Sequence, residues 1–152
     1  MQLHAYVLKT GESDAPEGLK RALDRANRLA DIFMGEFRTG RTGNEIVDSA
    51  MKKGEAEELR PLIYSHPLGV YGHGPGCTAD ARPAEDAPED IRVRGNYPLF
   101  SNTVYAIEFS TTMAVPEWDN QDVRIGYEDD GVFDGAACKF INGRQKEFFI
   151  IR

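Results

Sequence analysis

Cysteine is scarce, with Cys77 and Cys138 the two among 152 residues. Two are too few for a disulfide framework, so free thiols are the expectation, with one bridge left open. Basic charge is also short: 18 Lys and Arg stand against 25 Asp and Glu, a net charge of −7. That excludes the clustered cationic footprint of a nucleic-acid binder. No apolar run approaches the roughly 18 residues of a membrane-spanning helix, so no membrane partner is expected. The opening M-Q-L-H-A-Y-V-L-K has no charged region leading into a long apolar one. No signal peptide is therefore visible, which tilts the compartment towards the cytoplasm. There is no internal repeat and no low-complexity tract.

What is present reads as one globular domain over residues 1–152, with 41% hydrophobic and 28% charged residues. Leu3 to Lys9 alternates like a strand. Asp14, Pro16 and Glu17 together predict a helix start with Asp14 as N-cap. Leu19, Leu23, Ala26, Leu29, Phe33 and Phe37 then make one apolar stripe at spacings of three and four. Gly40 to Gly43 break it, and Thr42 with Glu45 predicts a capping box opening a second helix from Asn44 to Leu59. Residues 72–100 hold four prolines and several glycines and read as a long functional loop. The last third is β: 102–115, 122–133, 136–141 and 145–151, with Asp134-Gly135 and Asn142-Gly143 as hairpin turns closing a meander. Helices and strands are segregated, which predicts an α+β fold.

Chemistry concentrates in few places. Three histidines are present. His4 lies in the first strand with no evident partner. His66 and His73 stand in Y-S-H-P-L-G-V-Y-G-H-G-P-G. Imidazole is the usual general acid/base near neutral pH and the commonest metal ligand. On spacing alone, two loop histidines in a glycine-rich turn is the plainer reading. Glu108 interrupts the apolar run V-Y-A-I-E-F-S, where a carboxylate is costly unless paired or bound to metal. Glu128 sits mid-strand in V-R-I-G-Y-E-D-D-G. If these strands pair through a turn near Glu117 to Asn120, the two glutamates oppose one another and repel unless a cation or shared proton intervenes. One histidine and two carboxylates suit Mn, Fe, Co or Zn. Pairing of Glu108 with Arg124, and of Glu128 with a lysine, explains the same residues without metal.

H-P-L-G-V-Y-G-H resembles the histidine motif of the pita-bread metallopeptidases, the family of aminopeptidase P, prolidase, methionine aminopeptidase and creatinase. His66 and His73 match its metal-binding and substrate-contacting histidines. N-T-V-Y-A-I-E-F is similar to the family strand that delivers a metal-ligating glutamate, here Glu108. V-R-I-G-Y-E-D-D is similar to the final metal motif, which puts Glu128 at the metal-bridging position and Arg124 at the matching arginine, in substrate binding or structural support. The resemblance implies a partial pita-bread fold, with two helices on a curved, mostly antiparallel sheet forming the C-terminal portion of the catalytic domain.

It also implies a metallopeptidase of the Xaa-Pro aminopeptidase or dipeptidase type, with short peptides as substrate. Two divalent ions (Mn, Co, Zn or Fe) are implied, held in part by His66, Glu108 and Glu128, with His73 and Glu108 catalytic. The family's two aspartate ligands come from strands upstream of the segment matching A-Y-V-L-K and would fall before Met1. The expectation is an incomplete site, inactive by itself, completed by an upstream half-domain or a homodimer partner. The family's E-P-G after the first glutamate reads Glu108-Phe109-Ser110 here. The alternative expectation is a non-catalytic module of the same fold that binds peptide or protein.

Overall fold

A computed structural model describes residues 1–81 and 93–152. The elements run β1 (Ala5–Val7), α1 (Glu17–Gly35), α2 (Gly43–Ala56), β2 (Leu62–Pro67), β3 (Ala79–Asp80), β4 (Thr103–Val115), β5 (Gln121–Phe133), β6 (Cys138–Phe140) and β7 (Phe149–Ile151). The fold is α+β: two helices on a five-stranded antiparallel sheet ordered β3-β2-β4-β5-β6.

The stripe on α1 forms as its spacing requires. Leu19, Leu23, Ala26, Leu29, Ala30 and Phe33 are all buried. All but Leu19 pack on the odd-numbered positions of the sheet, among them Tyr105, Ile107, Phe109, Ile125, Tyr127 and Phe133, while Leu19 clusters with Tyr6, Ala15 and Val115. Phe37 ties helix to sheet through edge-on contacts with Tyr105 at 5.6 Å and Phe133 at 6.1 Å. The start of α1 differs from the expectation. Asp14 does not cap it: its carboxylate accepts from the adjacent Ala15 N–H and pairs with Lys20, and the helix begins after Pro16. The second start is as expected, with the Thr42 hydroxyl accepting from Glu45 N–H and the Glu45 carboxylate accepting from Thr42 N–H.

β4 and β5 are the spine of the sheet, paired in unbroken register from Thr103↔Phe133 to Val115↔Gln121. Their connection passes through the 3-10 turn Pro116–Trp118, with Asp119 and Asn120 left-handed. The expected closing meander is only half present. β6 follows β5 through a four-residue loop containing Asp134-Gly135, with Phe133 opposite Cys138. β7 leaves that sheet and pairs in parallel with β1, Tyr6 opposite Ile150. Both cysteines are buried free thiols. Burial pushes Cys77 up to about 11 and Cys138 up to about 12.

The expected 72–100 loop is not uniform. Residues 82–92 lie outside the described residues. Ala79 and Asp80 form β3 against β2, and Leu99 is buried with its N–H donating to the Arg41 carbonyl. Among the described residues no helix is long and apolar enough to cross a membrane.

Candidate functional site

The helices cover the odd face of the sheet, so the even face carries the chemistry. Along β5 the burial alternates strictly, with residues 125, 127, 129, 131 and 133 buried and 124, 126, 128, 130 and 132 more open. Pairing aligns the even positions into rows. Tyr64 stands opposite Glu108, and Glu108 opposite Glu128. The next row is His66, Ala106 and Asp130. On the other side lie Leu62, Ser110 and Gly126, then Thr112 and Arg124. The expected opposition of the two glutamates is thus present. The pairing of Glu108 with Arg124 is not, because Glu108 gives its contact to His66.

His66 is the fixed point, 5% exposed. Its Nε2 lies 3.1 Å from Glu108 Oε1 and its Nδ1 3.0 Å from the Pro67 carbonyl. Both partners are acceptors, so the two contacts are satisfied together only in the imidazolium form, in which both nitrogens donate. The proton balance agrees. Burial, the largest influence, pushes the His66 value down. The hydrogen bonds to Glu108 and the Pro67 carbonyl, with the charges of Glu108 and Glu128, outweigh it and leave it above its ordinary range.

His73 covers this pair. Its ring stacks on His66 with centroids 3.8 Å apart and planes 15° apart, and Tyr64 stands 5.3 Å from His66 and 6.4 Å from His73. The backbone folds back to allow it, with Gly74 N–H donating to the Pro67 carbonyl at 2.6 Å. Two glycines make the approach possible. A Cβ on Gly69 would meet Gly74 Cα at 2.7 Å, and one on Gly74 would meet the Leu68 carbonyl carbon at 3.0 Å. The tip of this loop leaves Val70 93% and Tyr71 94% exposed.

Glu128 is held differently. Its carbonyl accepts from Gln2 N–H at 2.6 Å, and its carboxylate is 3.9 Å from the Met1 ammonium. His4, which had no evident partner in the sequence, places Nε2 2.5 Å from the Gly126 carbonyl. Tyr64 and Asp130 share the face with the expected residues and were missed. The available signal was period two: Tyr64 lies two residues from His66, and Asp130 two from Glu128.

In donor type the face suits a divalent ion, with imidazole nitrogen and carboxylate oxygen on adjacent rows. In number it falls short: among the described residues no three His, Cys, Asp or Glu side chains converge closely enough to hold a metal ion. His66 and Glu108 are in contact, and Glu128 is the opposed neighbour. His66 must also give up its Nε2 proton before that nitrogen can ligate.

No family model matches the chain, and no curated protein matches it in sequence. Solved structures do match in fold. The chain is similar to an X-Pro aminopeptidase from Thermotoga maritima MSB8, with a TM-score of 0.64 at 15% identity over 91% of this chain and 35% of that one. It is similar also to the dipeptidase PepE from Mycobacterium ulcerans, with a TM-score of 0.57 at 16% identity over 91% of this chain and 33% of that one. The α+β architecture is therefore a partial pita-bread fold with peptidases as its structural neighbours. The chain spans about a third of the length of those two proteins.

Proposed function

We propose that this chain supplies the histidine- and glutamate-bearing part of a metal-dependent peptidase that acts on short peptides of the Xaa-Pro type. One observation carries the reading. The sheet register opposes Glu108 to Glu128 and sets His66 against Glu108, on the face the helices leave open. A buried imidazole in contact with one carboxylate and adjacent to another is an expensive arrangement for a structural sheet.

In this reading His66, Glu108 and Glu128 are metal donors, and a bound ion would lower the pKa of a water and polarise the scissile carbonyl. The remaining donors come from elsewhere, as an upstream half-domain or a second copy of the chain would provide. The chain's own residues do the rest. Ligation would require the proton that His66 holds at Nε2 to leave to solvent, which frees that nitrogen and keeps Glu108 an ionised donor. Released from its carboxylate partner, His66 is kept in orientation by the Pro67 carbonyl at Nδ1. His73, exposed and stacked on His66, would donate a hydrogen bond to a substrate carbonyl in this reading.

Calorimetric titration of the purified chain with Mn²⁺ or Co²⁺ tests this. The expectation is one weak site whose affinity rises with pH, because binding must release the His66 proton. Glu128→Gln should weaken it by about tenfold or more, in line with loss of a ligand or of a group that orients one. No binding at millimolar metal, or equal binding by the Glu128→Gln and His66→Ala variants, would refute the reading. A non-catalytic peptide-binding module is the second reading, favoured by the lack of three convergent donors among the described residues. Peptide binding that is indifferent to metal would select it.

A further inference from the structure

Three pairs in the chain set an aspartate or asparagine before a glycine: Asp130-Gly131, Asp134-Gly135 and Asn142-Gly143. In each, attack of the glycine nitrogen on the side-chain carbonyl would close a five-membered imide. The fold disarms two of them. Gly131 lies inside β5, paired with Tyr105 on β4 and Phe140 on β6, so two ladders lock its backbone. The Asp134 carboxylate accepts from the Ala136 and Ala137 N–H groups, both at 2.8 Å. Those bonds, the one from Ala137 first, hold it below the usual carboxylate range. An ionised carboxylate is a poor electrophile, and this one is turned onto its own loop.

Asn142-Gly143 is left open. The pair has the residues of a two-residue hairpin turn. However, β7 pairs with β1 instead of returning beside β6, so no hairpin closes around it. Asn142 and Gly143 are both exposed. Among the described residues neither the Asn142 side chain nor the Gly143 N–H makes a hydrogen bond. Gly143 has a φ of +83°, and a Cβ there would meet nothing within 4 Å. Neither a side chain of its own nor a neighbour shields its nitrogen. The other five asparagines precede Arg28, Glu45, Tyr97, Thr103 and Gln121, whose side chains crowd the attacking nitrogen.

From this we infer that Asn142 is a site of spontaneous, imide-mediated deamidation, and that its isoaspartate product loosens the C-terminal segment from α1. The inference is independent of the peptidase reading. The Gly143 nitrogen gives its proton to solvent base, and its electron pair attacks Asn142 Cγ. The N–Cγ bond forms, the Cγ–Nδ2 bond breaks, and the side-chain nitrogen leaves as ammonia with a proton from water. Water then adds to one imide carbonyl and opens one C–N bond. Opening at Cγ gives aspartate. Opening at the main-chain carbonyl gives isoaspartate, whose peptide link runs through the side chain and carries one additional backbone carbon. That carbon falls between two anchored points. On one side the Ile141 N–H donates to the Asp130 carbonyl at 2.9 Å, extending the β5–β6 ladder. On the other, Arg144 Nη1 donates to the Asn27 carbonyl at 3.2 Å and to Asp31 at 2.7 Å. Gln145 continues that hold, its carbonyl accepting from Asn27 Nδ2 at 3.0 Å. Aspartate keeps the spacing. Isoaspartate lengthens the link, and the Arg144 clamp on α1 gives way before the ladder does.

The test is peptide mapping by mass spectrometry of the full chain aged in mildly alkaline buffer, folded and in urea, with aspartate and isoaspartate separated by chromatography. In the folded chain Asn142 should deamidate at least about tenfold faster than any other asparagine, and give both products. Its rate should lie within about threefold of the rate in urea, because an open turn needs no unfolding to react. Gly143→Ala should slow it at least about tenfold by shielding the nitrogen and straining a positive φ. Asn142→Gln, at an exposed position without contacts, should slow it as much, because the ring it must close is larger. The isoaspartate form, isolated from the aspartate form, should unfold at lower urea. Protection of Asn142 in the folded chain relative to urea, aspartate as the sole product, or an undiminished rate in Gly143→Ala or Asn142→Gln would each overturn the site. An isoaspartate form as stable as the aspartate form would overturn the loosening.

Discussion

Glu36 closes α1 and carries a charge where the helix dipole disfavours it, at the C-terminal end. It is also buried, 6% exposed. Burial acts to raise its value and is the largest influence. Hydrogen bonds from Lys53, Arg41 and Ser49 overcome it and hold the carboxyl down at about 2. The folded value lies below the ordinary 4.5, so ionised Glu36 favours the folded state. Its contribution is complete above pH 4.5 and is lost as the pH falls through about 2. A displacement of that size corresponds to roughly 3 kcal/mol at neutral pH. The Lys53 side chain is 59% exposed, and solvent screening there reduces the figure to about 2 kcal/mol. Glu36→Gln should cost that amount at pH 7 and move a urea midpoint by about 1 M. Other carboxylates, such as Asp14 and Asp134, are also held low and contribute to acid unfolding. The diagnostic quantity is therefore the difference between wild type and variant, read by circular dichroism from pH 7 to pH 2. It should shrink towards zero over the acid range. A difference that stays constant across that range, or no difference at pH 7, would refute the assignment.

Glu108→Gln should lower the titration midpoint of the His66 ring followed by NMR in metal-free buffer, because the variant loses the carboxylate that raises it; an unchanged midpoint would contradict the contact. The raised His66 value also means that the pair's contribution to stability is full below pH 6.5 and fades as the pH rises through the folded value, a slope Glu108→Gln should flatten. Gly74→Ala should cost about 1–3 kcal/mol and unstack His73 from His66, visible as loss of ring-current shifts. Phe33→Ala, at a fully buried position under the sheet, should cost about 3–5 kcal/mol in chemical denaturation.

Local signals carried most of the fold. The capping box at Thr42 was legible because it is a contact between residues three apart. The facing of Glu108 and Glu128 was legible because one short turn fixes the register of both long strands. Asp14 misled because an aspartate two residues before a proline can satisfy its own neighbour's N–H as readily as a helix start. β2 was not legible as a strand, since six residues ending at Pro67 among glycines give little alternation to count. The β1–β7 pairing had no local trace at all, as it joins residues from opposite ends of the sequence, such as Tyr6 and Ile150. Donor types for a metal could be read from residue identity. Whether they converge depends on side-chain placement, and there the His66–Glu108 contact takes up the two best donors.

The candidate site is held in place by the core rather than by its own attractions. Opposing Glu108 to Glu128 costs energy, on the order of 1 kcal/mol for like charges directly across a strand pair. Sliding β5 by one residue would relieve it. The same slip would turn Ile125, Tyr127 and Phe133, all buried, from the helix-covered face to the open one. Each such side chain loses roughly 1.5–3 kcal/mol on exposure. Three of them outweigh the repulsion several times over, so the register is set by the odd positions and the even positions must accept it. His66 then offsets part of the residual repulsion by presenting a cation to Glu108. The same register separates Arg124 from Glu128 by the single small row of Gly126. The burial that stabilises the fold thus also places two carboxylates, an imidazolium and an unpaired guanidinium on one open face.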